Sequence, residues 1–184
     1  MFGFLRRNRH ERAGYQLYGA TVAAAREPDL YSVPTLAGVI GVPDTLDGRF
    51  DLIGLYAFLL IRRLNGLPEP GPTLAQAVFD AMFNDMDVNL REMGVGDLSV
   101  GRKVRAMWEA FHGRATAYQA AIETGDPATL AAALERNVWR GVPAAGAAAL
   151  ARATLAQEAH LAGQGLADLE RGAVTFLPLA EALK

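Results

Sequence analysis

Apolar residues along this 184-residue chain recur mostly at steps of three and four, the spacing of helices that bury one face. Tyr15, Leu17, Tyr18, Thr21, Val22 and Ala25 predict a first helix over 11–26, closed by Pro28. The run 52–61, Leu-Ile-Gly-Leu-Tyr-Ala-Phe-Leu-Leu-Ile, breaks the pattern, because it is apolar on every side. A helix of that kind belongs inside a bundle, so a second helix over 46–64 is predicted as the core element. Thr45 is its expected N-cap, Asp47 sits in its first turn, Arg62 and Arg63 in its last, and Gly66 just beyond. A third helix over 74–93, capped by Thr73, carries the stripe Val78, Phe79, Met82, Met86, Leu90 and Met93. A fourth over 99–124 carries Val104, Met107, Trp108, Phe111, Ala115, Tyr118 and Ile122. Asp126-Pro127 open a fifth that ends at Gly141, and Pro143 opens an alanine-rich sixth over 144–161.

The remaining segments are less regular. Residues 29–44 form a connector broken by Pro34, Gly38, Gly41 and Pro43, whose Leu30, Tyr31, Val33, Leu36, Val39 and Ile40 suit a segment lying along the body. In the tail from Gly163, residues 168–171 predict a helical turn, 174–177 an extended piece and 178–184 a terminal helical turn. Strand-like alternation and internal repeats are not found. All-α is therefore the expected class: a basic leader over 1–10, then one domain over 11–184 built as a bundle of about six helices with an irregular tail.

Composition removes several functions. With 51% hydrophobic and 21% charged residues the chain can build a core. A net charge of −2 counts against direct nucleic-acid binding. The absence of cysteine excludes disulfides, thiol nucleophiles and zinc–cysteine sites. The longest apolar run, 52–61, is too short for a bilayer, which takes roughly 20 residues. The leader is basic without the apolar run of a secretory signal. Phe2, Phe4 and Leu5 with Arg6 and Arg7 suit peripheral contact with an anionic membrane surface.

Candidate chemistry is thin. His10, His112 and His160 lie far apart, and Glu109-Ala110-Phe111-His112 is a lone Glu-x-x-His where a di-metal bundle needs two. No metal and no cofactor is expected. Asp80, Asn84, Asp87 and Arg91 share one helix face, which reads as a solvated or interhelical polar network. Arg102, Lys103 and Arg105 crowd the start of the fourth helix, close to Asp97, where cations oppose the helix dipole. That local misfit points to a basic partner-binding patch. Neither a phosphate-binding loop nor a nucleophile elbow is present. Met82, Phe83, Met86, Met93, Met107, Trp108 and Phe111 read most simply as core. These residues favour a binding protein over an enzyme.

The stretch 41–52, Gly-Val-Pro-Asp-Thr-Leu-Asp-Gly-Arg-Phe-Asp-Leu, is the densest run of non-interchangeable residues. Together with Leu17-Tyr18-Gly19-Ala20, residues 79–87, residues 89–98, Lys103-Val104-Arg105-Ala106-Met107, Gly113-Arg114 and Tyr118, it resembles the ubiquinol–cytochrome c chaperone family, over about 14–125. The chain length suits a bacterial member. The resemblance implies a helical fold and a non-enzymatic assembly factor for ubiquinol–cytochrome c reductase. The implied partners are cytochrome b or another bc1 subunit, and a further assembly factor. The implied location is cytoplasmic, peripheral at the inner membrane. On this reading Asp44, Asp47 and Arg49, together with Asp87, Arg91 and Asp97, form the polar rim of a client surface, and Lys103 and Arg105 add a basic patch. A rival reading is an enzyme or binder of quinone or lipid, with a pocket lined by Phe58, Met82, Met86 and Trp108. A third is an adaptor unrelated to respiration.

Overall fold

The computed structural model describes residues 2–31 and 40–184, and of residues 2–8 the backbone alone. The helices run α1 (Phe2–Ala25), α2 (Leu46–Asn65), α3 (Gly71–Glu92), α4 (Asp97–Glu123), α5 (Pro127–Val138), α6 (Ala147–Ala162), α7 (Leu166–Glu170) and α8 (Leu179–Ala182), with a 3-10 turn at Pro28–Leu30. Among the described residues there is no strand, so the all-α class and its six long helices are borne out.

Helix α2 is the axis of the bundle. Leu52, Leu55, Tyr56, Phe58, Leu59, Leu60 and Leu64 are buried, pointing in every direction around it. Helices α1, α3, α4, α5 and α6 all pack against it. Its ends follow the expected signals. The Thr45 hydroxyl accepts from the Gly48 backbone N–H at 3.1 Å, Asp47 lies in the positive first turn, and the Gly66 N–H closes onto the carbonyls of Arg62, Arg63 and Leu64. Gly48 is demanded by space, since a Cβ there would stand 2.1 Å from the Pro43 carbonyl oxygen.

Several boundaries differ from the sequence reading, each for a local reason. Helix α1 begins at Phe2 and not at residue 11: no proline separates the leader from the helix, which runs through the Asn8-Arg9-His10-Glu11 capping signature without stopping. Helix α3 begins at Gly71 with Pro70 as N-cap; the Thr73 hydroxyl instead donates to the Glu69 carboxylate at 2.9 Å. Helix α5 stops at Val138 and α6 waits until Ala147, in spite of the alanines between. Tertiary contacts hold that loop open. The Trp139 indole N–H donates to the Gly41 carbonyl at 3.2 Å, the Ala144 N–H donates to Glu135 at 3.0 Å, and Arg140 takes a left-handed φ of 58°. The side chains of Phe2, Phe4, Leu5, Arg6 and Arg7, and connector residues Val33, Leu36 and Val39, lie outside the described residues. Leu30, Ile40 and Val42 of the connector are buried, as expected of a segment along the body.

One charge sits inside this core. Asp51, in the first half of α2, is 2% exposed. Arg114 of α4 pairs with one carboxylate oxygen, and Arg140 of the α5–α6 loop donates to the other at 2.6 Å. Burial pushes the Asp51 carboxyl above the ordinary aspartate value, against the pull of the two guanidiniums. The trio ties α2, α4 and the end of α5 together. At the far side of the bundle the extended 174–177 segment is strapped to α6. The Gln157 amide bonds both backbone groups of Leu177 and the Gln164 amide both backbone groups of Thr175, at 2.6–2.9 Å, doing the work of a partner strand.

Two predictions follow from the packing. A Cβ on Gly14 would meet the Ala77 backbone at 2.7 Å where α1 crosses α3, whereas Gly19 on the same helix faces open space. Gly14→Ala is expected to lose about 1–3 kcal/mol in urea denaturation, from overpacking. Gly19→Ala is expected to gain about 0.5–1 kcal/mol, from helix propensity. Asp51→Asn leaves two arginines facing a neutral group and is expected to lose roughly 3 kcal/mol, the low end for breaking a buried pair, because Arg140 keeps much of its access to water.

Candidate partner-binding surface

The turn before α2 and its first turn carry one exposed ion pair. Arg49 donates to Asp44 through Nε at 2.6 Å and through Nη2 at 3.1 Å, a bidentate contact. The Arg49 guanidinium holds the Asp44 carboxyl below the ordinary aspartate value. Asp47, one turn along, is exposed.

A second group staples the α3–α4 hairpin. Arg91 donates to Asp87 at 2.6 Å and to Asp97 at 2.5 Å, joining the last turn of α3 to the first residue of α4. The two carboxylates raise the Arg91 pKa further, the Asp87 hydrogen bond most of all. Asp80 and Asn84, expected on this face, go elsewhere: Asp80 accepts from Gln76 at 2.7 Å and Asn84 donates to the Tyr15 hydroxyl at 3.1 Å. Tyr18 next to it donates to Asp85 at 2.8 Å, so this stretch of α3 faces α1.

Lys103 and Arg105 are exposed on α4, and Arg105 pairs with Glu109 at 3.0 Å. Among the described residues, no hydrogen bond or ion pair links the Asp44–Arg49 pair, the Arg91 group and Arg105 to one another. Each is a closed local pair or triad.

The first half of α4 departs from the expected core. From Asp97 to Ala110 Val100 alone is buried, whereas Phe111, Tyr118, Ala121 and Ile122 of the second half are. Trp108 and Met93, read from the sequence as core, are 44% and 58% exposed, and Leu98 is 100% exposed. The reason is geometric: α4 leaves the bundle towards its N-terminus, so its stripe runs on past the surface that it could cover.

A groove of about 1040 Å³ lies further along, between the C-terminal part of α2, the N-terminal part of α3 and, from Trp108 on, the second half of α4. Phe58 and Ile61 of α2, Phe79 of α3, and Trp108, Phe111 and His112 of α4 line its apolar part. The His112 ring lies against Trp108, centroids 4.1 Å apart and planes tilted by 57°, and its centroid is 5.8 Å from that of Phe79. The pocket expected from Phe58, Met82, Met86 and Trp108 is half corrected: Met82 and Met86 are buried in the core, and only Phe58 and Trp108 reach the groove. Nothing in the sequence marked the groove, because helical spacing does not reveal where two helices part. Asp51 carried a signal that went unused, a lone carboxylate opening an apolar run.

Among the described residues, no group of three or more histidine or acidic side chains is placed to hold a metal. Glu109 is engaged by Arg105. Among the same residues, no helix is long and apolar enough to cross a membrane.

The fold has a solved relative. The crystal structure of the Cbp3 homolog from Brucella abortus superposes with a TM-score of 0.84 at 31% identity, covering 98% of this chain and 99% of that one. The Xenopus laevis protein named ubiquinol-cytochrome-c reductase complex assembly factor 1 is 27% identical over 97 residues, 53% of this chain. The match spans 48% of that protein's length. Residues 39–176 match the family described as ubiquinol-cytochrome C chaperone, reaching past α4 through α5, α6 and most of the strapped segment. With that match and a relative of the same fold along nearly its whole length, the chain belongs to the ubiquinol–cytochrome c chaperone family.

Proposed function

We propose that this protein is a non-enzymatic assembly factor for ubiquinol–cytochrome c reductase that holds an apolar, newly made subunit, in the first place cytochrome b. The match of residues 39–176 to the ubiquinol-cytochrome C chaperone family and the likeness to the Xenopus laevis assembly factor carry the reading. The exposed apolar residues of the α3–α4 hairpin support it. Met93, Leu98 and Trp108 exceed what a self-sufficient bundle needs to expose. The polar rim on this proposal comprises Asp44, Asp47 and Arg49 at the start of α2 and Asp87, Arg91 and Asp97 on the hairpin, with Lys103 and Arg105 behind. Paired charges of this kind contribute little to folding when exposed. They remain available to exchange partners and to set orientation. A membrane client places the protein at the membrane surface, peripherally.

Tagged protein from detergent-solubilised cells of its source is expected to co-purify cytochrome b or other bc1 subunits. Asp47→Ala and Arg49→Ala should reduce that recovery several-fold at an unchanged denaturation midpoint. Unchanged recovery in both variants would sink the rim, and a wild-type preparation free of bc1 subunits would sink the assembly reading itself.

A further inference from the structure

The groove between α2, α3 and α4 is shaped by helices in a particular way. Along α4 the lining residues Trp108, His112, Ala115 and Gln119 fall at i, i+4, i+7 and i+11. Along α2 they are Phe58, Ile61, Arg62 and Asn65, at i, i+3, i+4 and i+7, and α3 repeats the α2 spacing from Pro72 to Phe79. Each wall is therefore one stripe of a helix, the surface into which the ridges of another helix pack. The trough is open along one side. An acyl chain lying in it would leave much of its own surface in water, and small-molecule sites are characteristically enclosed. A helix, about 10 Å across, needs to bury one face only.

The charge of the lining narrows the occupant further. None of the lining residues is acidic, although the chain holds 20 acidic residues. Arg62, the sole charged lining residue, pairs with Glu158. Among the described residues, the Trp108 indole N–H, the His112 ring and the Asn65 amide make no hydrogen bond to protein, so the walls offer donors and no carboxylate. The carboxylates that adjoin the lining are already engaged, Glu158 by Arg62, Glu123 by Gln119 and Asp80 by Gln76, so an occupant with lysine or arginine beside its apolar face meets no free carboxylate on the walls, whereas one with carboxylates or hydroxyls finds unpaired donors.

We propose that this groove seats one α-helix of the client, its apolar face against Phe58, Phe79, Trp108 and Phe111 and its flanking polar groups neutral or acidic. This rests on the reading of the protein as holder of an apolar client, and adds the seat and the form in which the client is held.

The test is fluorescence anisotropy on the purified full chain with two labelled 20-residue synthetic helices. Both carry leucine at i, i+3, i+4 and i+7; one has glutamate on its outer face, the other lysine. The glutamate helix is expected to bind at least about tenfold tighter than the lysine helix. Trp108→Glu and Thr116→Glu, at two exposed positions of the groove, should each weaken it by about tenfold or more, while Ala106→Glu, also exposed on α4 but outside the groove, should change it less than about twofold. Circular dichroism and thermal melting matched to wild type qualify each variant, and the two groove positions stand in for each other. Equal binding of the two helices, binding that survives both groove substitutions, or equal loss in Ala106→Glu overturns the proposal. So does a groove that takes a labelled fatty acid and neither helix. Co-purification separates this from the assembly reading. If both groove variants recover bc1 subunits at the wild-type level, the assembly reading stands and the groove is not the seat. If the wild type recovers none while the glutamate helix binds through the groove, the assembly reading falls and the helix site stands.

Discussion

Everything in this molecule depends on surrounding α2 completely. A helix whose Leu52, Ile53, Phe58 and Leu60 point to different sides and are all buried cannot rest on a surface; it must be enclosed. Each such leucine contributes about 2–5 kcal/mol, as judged by truncation to alanine in well-packed cores. Enclosure takes α1, α3, α5, α6 and the second half of α4, and it also draws in the connector, since Ile40 and Val42 are buried. Asp51 then sets the register. A buried carboxylate is tolerable only beside its counter-charges, so Arg114 and Arg140 must stay where they are. That fixes how far α4 can slide along α2 and holds the α5–α6 loop on the same end of the bundle.

The candidate surfaces are what is left when this requirement has been met. Helix α4 has 27 residues, and its second half suffices to cover its share of α2. The first half runs on beyond the core, stapled to α3 through Arg91 and not buried against it. The exposed Leu98 and Lys103 are consequences of this overrun, and Trp108 stands where it meets the groove beside the second half of α4. The Asp44–Arg49 pair belongs to a different constraint, the tight entry into α2 where Gly48 sits against Pro43.

Legibility followed locality. The Thr45 and Asp126 caps and the Gly66 stop depend on residues close in sequence, and the chain folds there as its sequence reads. Where the reading missed, long-range contacts had overruled local preference. Ala144 and Ala145 stay out of α6 because Glu135, Gly41 and Asp51 hold the loop from elsewhere. Trp108 and Met93 fit an apolar stripe in sequence, and periodicity cannot say whether a neighbour arrives to cover it. The family resemblance read from the 41–52 stretch and its companions is borne out, and the matched region runs on past residue 125 into the alanine-rich third. The acids and arginines singled out at the start of α2 and on the hairpin do form pairs. Their gathering into one rim depends on what binds there, which a chain alone does not encode in its spacing.

The most direct test of the central claim is the amount of assembled ubiquinol–cytochrome c reductase in membranes of the source cells, read as the dithionite-reduced b-type haem signal and by native electrophoresis. The account predicts that deleting this chain removes the complex and lowers that signal, that returning the wild-type chain restores both, and that other respiratory complexes are unchanged. Membranes with a normal complement of the complex after deletion would contradict it.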